Sequence, residues 1–205
     1  IYISPDLPSG TGNHARLQPE IIQAIGQLPG IAEISRGRHT ELHSDRGITQ
    51  LFAIHMAQQS YAGVELLQGD PETAWPKFDR GQAVLISEPY AYRHGLKTGD
   101  TLQLETDPGR RSFAIAGIYR DYGSEHGVVS MRMALYREHW NDDSVYSIGL
   151  YLEPGTDPNQ LINQIHALVG GRQDLLIRSN RTLHQTSMDT FDRTFVITNV
   201  LRLLA

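Results

Sequence analysis

The chain has 205 residues, no cysteine and a net charge of −5, and 40% of its residues are hydrophobic. This length and composition predict a folded protein of one large domain or two small ones, not a disordered chain. The absence of cysteine excludes disulfide staples, cysteine metal sites and thiol catalysis. The mild acidity argues against a nucleic-acid-binding protein. No run of about 18 apolar residues is present, so no membrane span is expected within the sequence as given.

The first 60 residues predict a strand, a helix and a hairpin. Ile1 to Ile3 is a short strand, and Pro19 fits the first position of a helix that ends at Pro29-Gly30. Residues 31–43 and 48–56 are predicted as two strands, joined by the turn Asp45-Arg46-Gly47. The helix presents one apolar stripe at helical spacing, formed by Leu17, Ile21, Ile25 and Leu28.

Residues 61–144 predict a compact β-rich segment that carries most of the acidic excess, with 9 basic and 13 acidic residues. Pro71, Pro76 and Gly81 indicate a loop. After it we expect a strand at 83–86, a short helix at 88–94 closed by Gly95, a hairpin of strands 101–106 and 111–119, a strand at 128–133 and a helical turn at 135–140. The hairpin turn is Asp107-Pro108-Gly109.

The last part predicts a β-α-β unit. Residues 146–153 alternate as a strand, and Asp157 and Pro158 are a typical N-cap and first residue of a helix. Gly170-Gly171 ends that helix, and Leu175 to Ile177 is predicted as a short buried strand. We therefore expect an α+β fold: a split subdomain of residues 1–60 and 145–190, with a small β-rich subdomain of residues 61–144 inserted in it.

The sequence becomes apolar from Phe195 to Ala205. Two interpretations fit this composition: a C-terminal core helix, or a stalk helix at 191–205 that enters a membrane in a longer protein. We expect the chain to be a fragment of such a protein.

Two clusters of polar residues are candidates for chemistry. His39, Glu41 and His43 share one face of a strand, so they are either metal ligands or a solvated polar face. Asp121, Glu125 and His126 lie among glycines and are either acid–base catalysts or part of an exposed loop that contacts a partner. Ser87 follows an apolar strand but lacks the flanking glycines of a nucleophile elbow. We expect no catalytic residue, metal or cofactor.

Three stretches occur in an order found in one protein family: Val84-Leu-Ile-Ser-Glu-Pro89, Gly95-Leu-Lys-Thr-Gly-Asp-Thr-Leu102, and Phe113-Ala-Ile-Ala-Gly-Ile-Tyr-Arg-Asp-Tyr-Gly123. In this order they resemble the extracytoplasmic domain of FtsX-like, or MacB-type, ABC transporter permeases. Ser179 to Leu183 and Phe191 to Phe195 resemble the segment that leads into the second transmembrane helix of such a permease. The resemblance covers about two thirds of the chain.

The resemblance implies a permease with four transmembrane helices in the bacterial inner membrane, with this domain between the first and second helix, in the periplasm. It implies a split porter-like subdomain with a β-rich insert. It also implies a cytoplasmic ATPase, a second permease chain in a dimer, and a periplasmic or outer-membrane partner protein. The domain would be non-catalytic and would couple ATP hydrolysis to export, lipoprotein release or partner activation by mechanotransmission.

Two alternatives follow from the residues themselves. One is a soluble periplasmic domain that binds a lipid or peptide in an apolar cavity. The other is a hydrolase that uses Asp121, Glu125 and His126. For the permease interpretation, the coupling candidates are Phe191, Asp192 and Phe195, and the partner-contact candidates are Asp121, Glu125 and His126.

The stalk assignment can be tested by mutation in the intact transporter. Replacement of Asp192 or Phe195 by Ala should uncouple ATP hydrolysis from transport, because the stalk would no longer transmit movement. Transport and ATP hydrolysis should be measured together in liposomes. Unchanged transport per ATP hydrolysed would refute the assignment.

Overall fold

The computed structural model describes residues 1–6, 16–121 and 126–179. Within these ranges the helices are α1 (Pro19–Gly26), α2 (Pro71–Asp79), α3 (Glu88–His94), α4 (Met133–His139) and α5 (Pro158–Val169), with a 3₁₀ helix at Gln58–Gly63. The strands are β1 (Tyr2–Pro5), β2 (Ile31–Ser44), β3 (Gly47–His55), β4 (Leu66–Gln68), β5 (Val84–Ser87), β6 (Thr101–Thr106), β7 (Gly109–Tyr119), β8 (Val128–Arg132), β9 (Ser147–Leu152) and β10 (Leu175–Arg178).

All ten strands belong to one sheet. Its order is β10-β1-β9-β2-β3-β8-β5-β7-β4, and β6 pairs with β7 and touches β2. The pairs β3/β8 and β5/β7 are parallel, and the other pairs are antiparallel. The predicted α+β class is confirmed.

The strand β2 connects the two ends of this sheet. Its first half, Ile31 to Gly37, pairs with β9, and its second half, Arg36 to Ser44, pairs with β3 in the predicted hairpin. A strand of 14 residues is about 46 Å long, at roughly 3.3 Å per residue. This length lets one strand pair with β9 at its start and with β3 at its end.

The hydrophobic residues on the two halves of the sheet form separate cores. The first core joins α1 and α5 to β1, β9 and the start of β2, and its fully buried side chains include Ile3, Ile21, Ile25 and Ile165. The second core packs α3 and α4 on the other half of the sheet. Leu51 and Ala53 of β3 belong to this second core, although they precede the predicted boundary at residue 60. The division into a split subdomain and an insert remains a prediction.

The helix ends follow the sequence closely. Asp157 Oδ1 accepts a hydrogen bond from the Asn159 N–H at 2.9 Å, and Gly170 closes α5 with a φ of 54°. The predicted helix at 88–94 is α3, with the same bounds, and is closed by Gly95. These predictions are confirmed. They could be made from the sequence because N-cap and C-cap preferences depend on one or two local residues.

Two predictions were wrong. Residues 71–79 form α2, not a loop, because Asp70 accepts from the Glu72 N–H, Pro71 starts the helix, and Pro76 removes only one internal hydrogen bond. The strand at 175–178 is only half-buried, because β10 is an edge strand with β1 as its neighbour in the sheet. The strand β4 and the 3₁₀ helix were not predicted.

No helix in the described part of the chain has the length and hydropathy needed to cross a membrane. The longest of them, α5, has 12 residues.

A partly buried ion pair links β2 to the loop that returns from α4 to β9. Arg38 Nε–H donates to Asp142 Oδ2 at 2.9 Å, and the Tyr136 hydroxyl donates to the same oxygen at 2.9 Å. The Ser144 N–H donates to Asp142 Oδ1 at 2.9 Å. Burial alone would raise the pKa of Asp142, but the hydrogen bonds from Ser144, Arg38 and Tyr136 outweigh it and lower the pKa well below its usual range. The network therefore stabilises the ionised carboxylate.

The network predicts an acid-dependent loss of stability. Asp142→Asn should lower the free energy of unfolding by about 2 kcal/mol at pH 7, because hydrogen bonds to a charged group are lost. The native pKa lies well below the unfolded value of about 3.9, so this contribution is complete above about pH 5 and is lost progressively as the pH falls through the unfolded pKa toward the native one. Urea denaturation at several pH values measures the difference between the two proteins, which should shrink in acid.

The matched control is Asp143→Asn, since Asp143 pairs with Arg137 but its side chain is 90% exposed. Exposed ion pairs contribute little, so this variant should change stability much less. Equal effects of the two substitutions, or a difference between wild type and Asp142→Asn that does not shrink in acid, would contradict the assigned role of Asp142.

Candidate functional site: an apolar cavity beside the loop 121–127

A half-open cavity of about 570 Å³ lies on the face of the sheet opposite the second core. Its floor comes from β3, β5, β7 and β8, and α2 forms one wall. The apolar residues that line it are Phe52, Ile54, Met56, Val64, Trp75, Phe78, Leu85 and Val128. The polar residues are His39, Gln50, Tyr119, Asp121, His126 and Ser130.

The cavity exists because both faces of these strands are apolar but only one is fully covered. On β3, Leu51 and Ala53 enter the second core, whereas Phe52 and Ile54 face the cavity. The helix α2 has nine residues and is about 14 Å long, at roughly 1.5 Å per residue. A nine-residue strand such as β3 is about 30 Å long. One short helix therefore leaves part of this face uncovered.

The deep wall of the cavity is a third, smaller hydrophobic cluster. Phe78 and Leu85 are buried in it, and Trp75 packs edge-on against Tyr61 with ring centroids 4.9 Å apart. Trp75 is also edge-on to Phe78, at 6.1 Å. The Tyr61 contact joins α2 to the 3₁₀ helix, and the cluster that contains Phe78 and Leu85 joins α2 to the sheet.

The polar groups of the lining are held by specific contacts. The hydroxyls of Tyr119 and Ser130 are 2.9 Å apart. The pKa of Tyr119 is raised to about 12. Burial is the main cause and the charge of Asp121 adds to it, whereas the hydrogen bond with Ser130 acts in the opposite direction. The His39 ring stacks on Phe52 with centroids 4.0 Å apart. Burial and the nearby charge of Arg38 lower the pKa of His39 to about 4, so His39 is neutral at pH 7.

The structure brings two of the predicted site residues to this cavity. Asp121 and His126 both line it, although four residues that the structure does not describe separate them in the chain. Glu125 lies among those four, and Phe191, Asp192 and Phe195 also lie outside the described residues. A hydrolase would need a nucleophile bonded to a base. The serine in the wall, Ser130, is instead paired with Tyr119, whose raised pKa keeps its hydroxyl protonated at pH 7, so that it is not available as a general base.

The strand positions 39, 41 and 43 do share a face, but their side chains have different surroundings. His39 stacks on Phe52, Glu41 accepts a hydrogen bond from Gln50, and His43 is exposed. Among the described residues, no three histidine, aspartate or glutamate side chains are placed to hold a metal ion together. Ser87 has a structural contact, since its hydroxyl accepts from the Val128 N–H at 2.8 Å.

The ends of the described chain lie side by side, far along the sheet from the cavity. Tyr2 of β1 pairs with Arg178 of β10, and the two strands are antiparallel. The start of β1 and the end of β10 are therefore at the same end of the sheet. Two connections that leave the domain here would emerge about 5 Å apart, the usual spacing of neighbouring strands.

Residues 1–168 match the MacB-like periplasmic core domain family. The match covers most of the chain, and the chain belongs to this family. The resemblance drawn from the sequence to MacB-type ABC transporter permeases is thereby confirmed.

Known relatives agree with this assignment. An uncharacterised ABC transporter permease protein of Mycobacterium tuberculosis is 30% identical over all of this chain, which spans 24% of that relative's length. The periplasmic region of MacB from Actinobacillus actinomycetemcomitans superposes with a TM-score of 0.63 at 16% identity, covering 91% of each chain. The extracellular domain of the ABC-type transporter YknZ from Gram-positive bacteria gives 0.60 at 12% identity, covering 87% of this chain and 99% of that one. At these identities the two structures show a shared fold.

Sequence reasoning did not find the cavity or its aromatic residues Phe52, Trp75 and Tyr119. One signal was present: Leu51, Phe52, Ala53 and Ile54 are apolar without alternation, which is typical of a strand covered on both faces. The sequence predicts a loop where the structure has α2, so the apolar run on β3 did not indicate a face partly covered by a helix.

Gly127 fixes where the loop 121–127 rejoins the sheet, and its replacement gives a test. Its φ is +79°, and a Cβ there would overlap the backbone of Tyr90. Gly127→Ala should therefore lower the free energy of unfolding by more than about 1 kcal/mol, as measured by urea denaturation. Gly95→Ala is the matched control, because Gly95 has a φ of +63° with open space around it. If the two variants lose equal stability, contact with Tyr90 does not position the loop.

Proposed function

We propose that this chain is the non-catalytic extracytoplasmic domain of an ABC transporter permease, and that it transmits movement from the membrane side to the region around the loop 121–127. The observation that carries the proposal is the pairing of β1 with β10, which places both ends of the described chain at one end of a continuous sheet. A domain connected in this way is displaced as a lever when its two connections move.

The cores are joined tightly enough to act as one body. β2 runs through both halves of the sheet. The Arg38–Asp142 pair links β2 to the loop between α4 and β9, which is a second connection between the two halves. The Tyr146 N–H also donates to the Gly37 carbonyl at 2.8 Å, beside the same junction. Backbone pairing and a partly buried ion pair therefore resist bending between the ends of the described chain and the cavity.

The proposal includes three partners. A cytoplasmic ATPase would drive the movement, and a second permease chain would supply the opposing domain in a dimer. A periplasmic or outer-membrane protein would contact the loop that contains Asp121, Glu125 and His126. We place the domain in the periplasm of a bacterium, with Phe191, Asp192 and Phe195 in the stalk. Export, lipoprotein release and partner activation are all outcomes that such a lever could drive.

The test is a distance measurement on the full-length transporter with its ATPase in lipid nanodiscs. A spin label at Ile48→Cys, an exposed position near the tip of the β2–β3 hairpin, reports the separation of the two copies. The chain itself contributes no cysteine. ATP should shift this separation in the wild-type background. Arg38→Ala should broaden the distribution and reduce the shift, because the junction between the cores is loosened.

The matched control is Arg110→Ala, which removes an ion pair with Glu105 in which both side chains are exposed. It should leave the ATP-dependent shift unchanged. A separation that does not respond to ATP in any background would contradict the proposed transmission of movement.

A further inference from the structure

We propose that the cavity beside α2 binds a small amphipathic cation, such as a lipophilic amine, with its apolar body against Phe52 and Trp75 and its ammonium group toward Asp121. This inference concerns ligand binding by the domain itself. It holds whether or not the domain transmits movement in a transporter.

The size and walls of the cavity indicate a small molecule. Its volume of about 570 Å³ falls within the range of roughly 300–1,000 Å³ that is typical of ligand sites. Eight of its lining residues are apolar, and three of these, Met56, Phe78 and Leu85, are buried. An apolar body that fills this space would remove its own surface and the exposed part of the lining from water, which favours binding by about 25 cal/mol per Å².

The charge at the cavity distinguishes between ligands with different head groups. Asp121 is the one carboxylate among the described lining residues, and none of them is a lysine or an arginine. Its charge reaches the cavity wall, since it contributes to the raised pKa of Tyr119. The neighbouring Arg120 is ion-paired with Glu65 at 3.4 Å and does not line the cavity. An anionic head group would thus meet a carboxylate, whereas an ammonium group would be attracted to it.

The neutral polar groups suit the same ligand. The Gln50 side chain and the Tyr119–Ser130 hydroxyl pair can accept hydrogen bonds from an ammonium group. His39 lies in the lining without a positive charge at pH 7, so it does not repel a cation. The face of the Trp75 ring offers a further favourable contact to a cation that approaches it.

The experiment compares three probes that share a ten-carbon chain, namely decylammonium, decanol and decanoate, with the 205-residue chain at pH 7. Titration calorimetry below the micelle-forming concentrations measures each affinity. Decylammonium should bind about tenfold more tightly than decanoate, with decanol between them, since one charge-assisted contact is gained. The chain has two tryptophans. In Trp140→Phe, Trp75 is the one remaining tryptophan. Titration of its fluorescence emission with decylammonium should give the same affinity as calorimetry.

Three variants locate the site. Asp121→Asn should bring the affinities for decylammonium and decanoate to within about threefold of each other. Asp174→Asn removes an exposed carboxylate next to β10, in the other half of the sheet, and should retain the tenfold preference. Val64→Phe should weaken all three probes, because it fills part of the cavity.

Equal affinities for the three head groups in the unaltered chain would overturn the inference, and so would tighter binding of decanoate. A preference that survives Asp121→Asn would also overturn it. These results do not depend on whether Val64→Phe folds. Because no ATP or second chain is present, failure here is distinct from failure of the proposed transmission of movement.

Discussion

The structure depends on one strand that belongs to two cores. The first half of β2 is hydrogen-bonded to β9 and the second half to β3, and the two registers overlap at Arg36 and Gly37. Ladder pairing on both sides of this overlap prevents the strand from bending freely there. The cores on either side therefore share one sheet, and the Arg38–Asp142 pair holds their second connection. The shared sheet therefore determines how far the cavity lies from the ends of the described chain.

The two ends of the shared sheet are covered differently. At one end, β1 and β10 both pack on the first core, and they bring the ends of the described chain together. At the other end, four strands have two apolar faces, and α3 and α4 cover one of them. Among the residues that the structure describes, α2 and the 3₁₀ helix alone cover the opposite face, and their incomplete cover leaves the cavity. The ends of the described chain and the cavity therefore lie on different halves of one sheet.

The sequence predicted the parts of this fold that depend on local physics. The hairpin β2–β3, the helix α3 with its closing glycine, and the capped helix α5 follow from alternation and from one or two terminal residues. The helix α2 was missed because its two prolines suggest a loop, whereas the burial of Phe78 favours the helix. Asp121 and His126 were predicted from the sequence as partner-contact candidates, and both line the cavity. The cavity that joins them depends on how α2 covers a distant sheet face, which no short-range pattern contains.

The most direct test of the account measures rigidity within a single domain. Spin labels at Gln160→Cys on α5 and Ile48→Cys near the hairpin tip are both exposed and report on opposite cores. One labelled copy should be paired with an unlabelled copy in the full-length transporter, with and without ATP. The account predicts a narrow distance distribution that ATP does not shift. A distribution that moves or splits with ATP would show that the two cores move against each other, and would contradict the rigid lever.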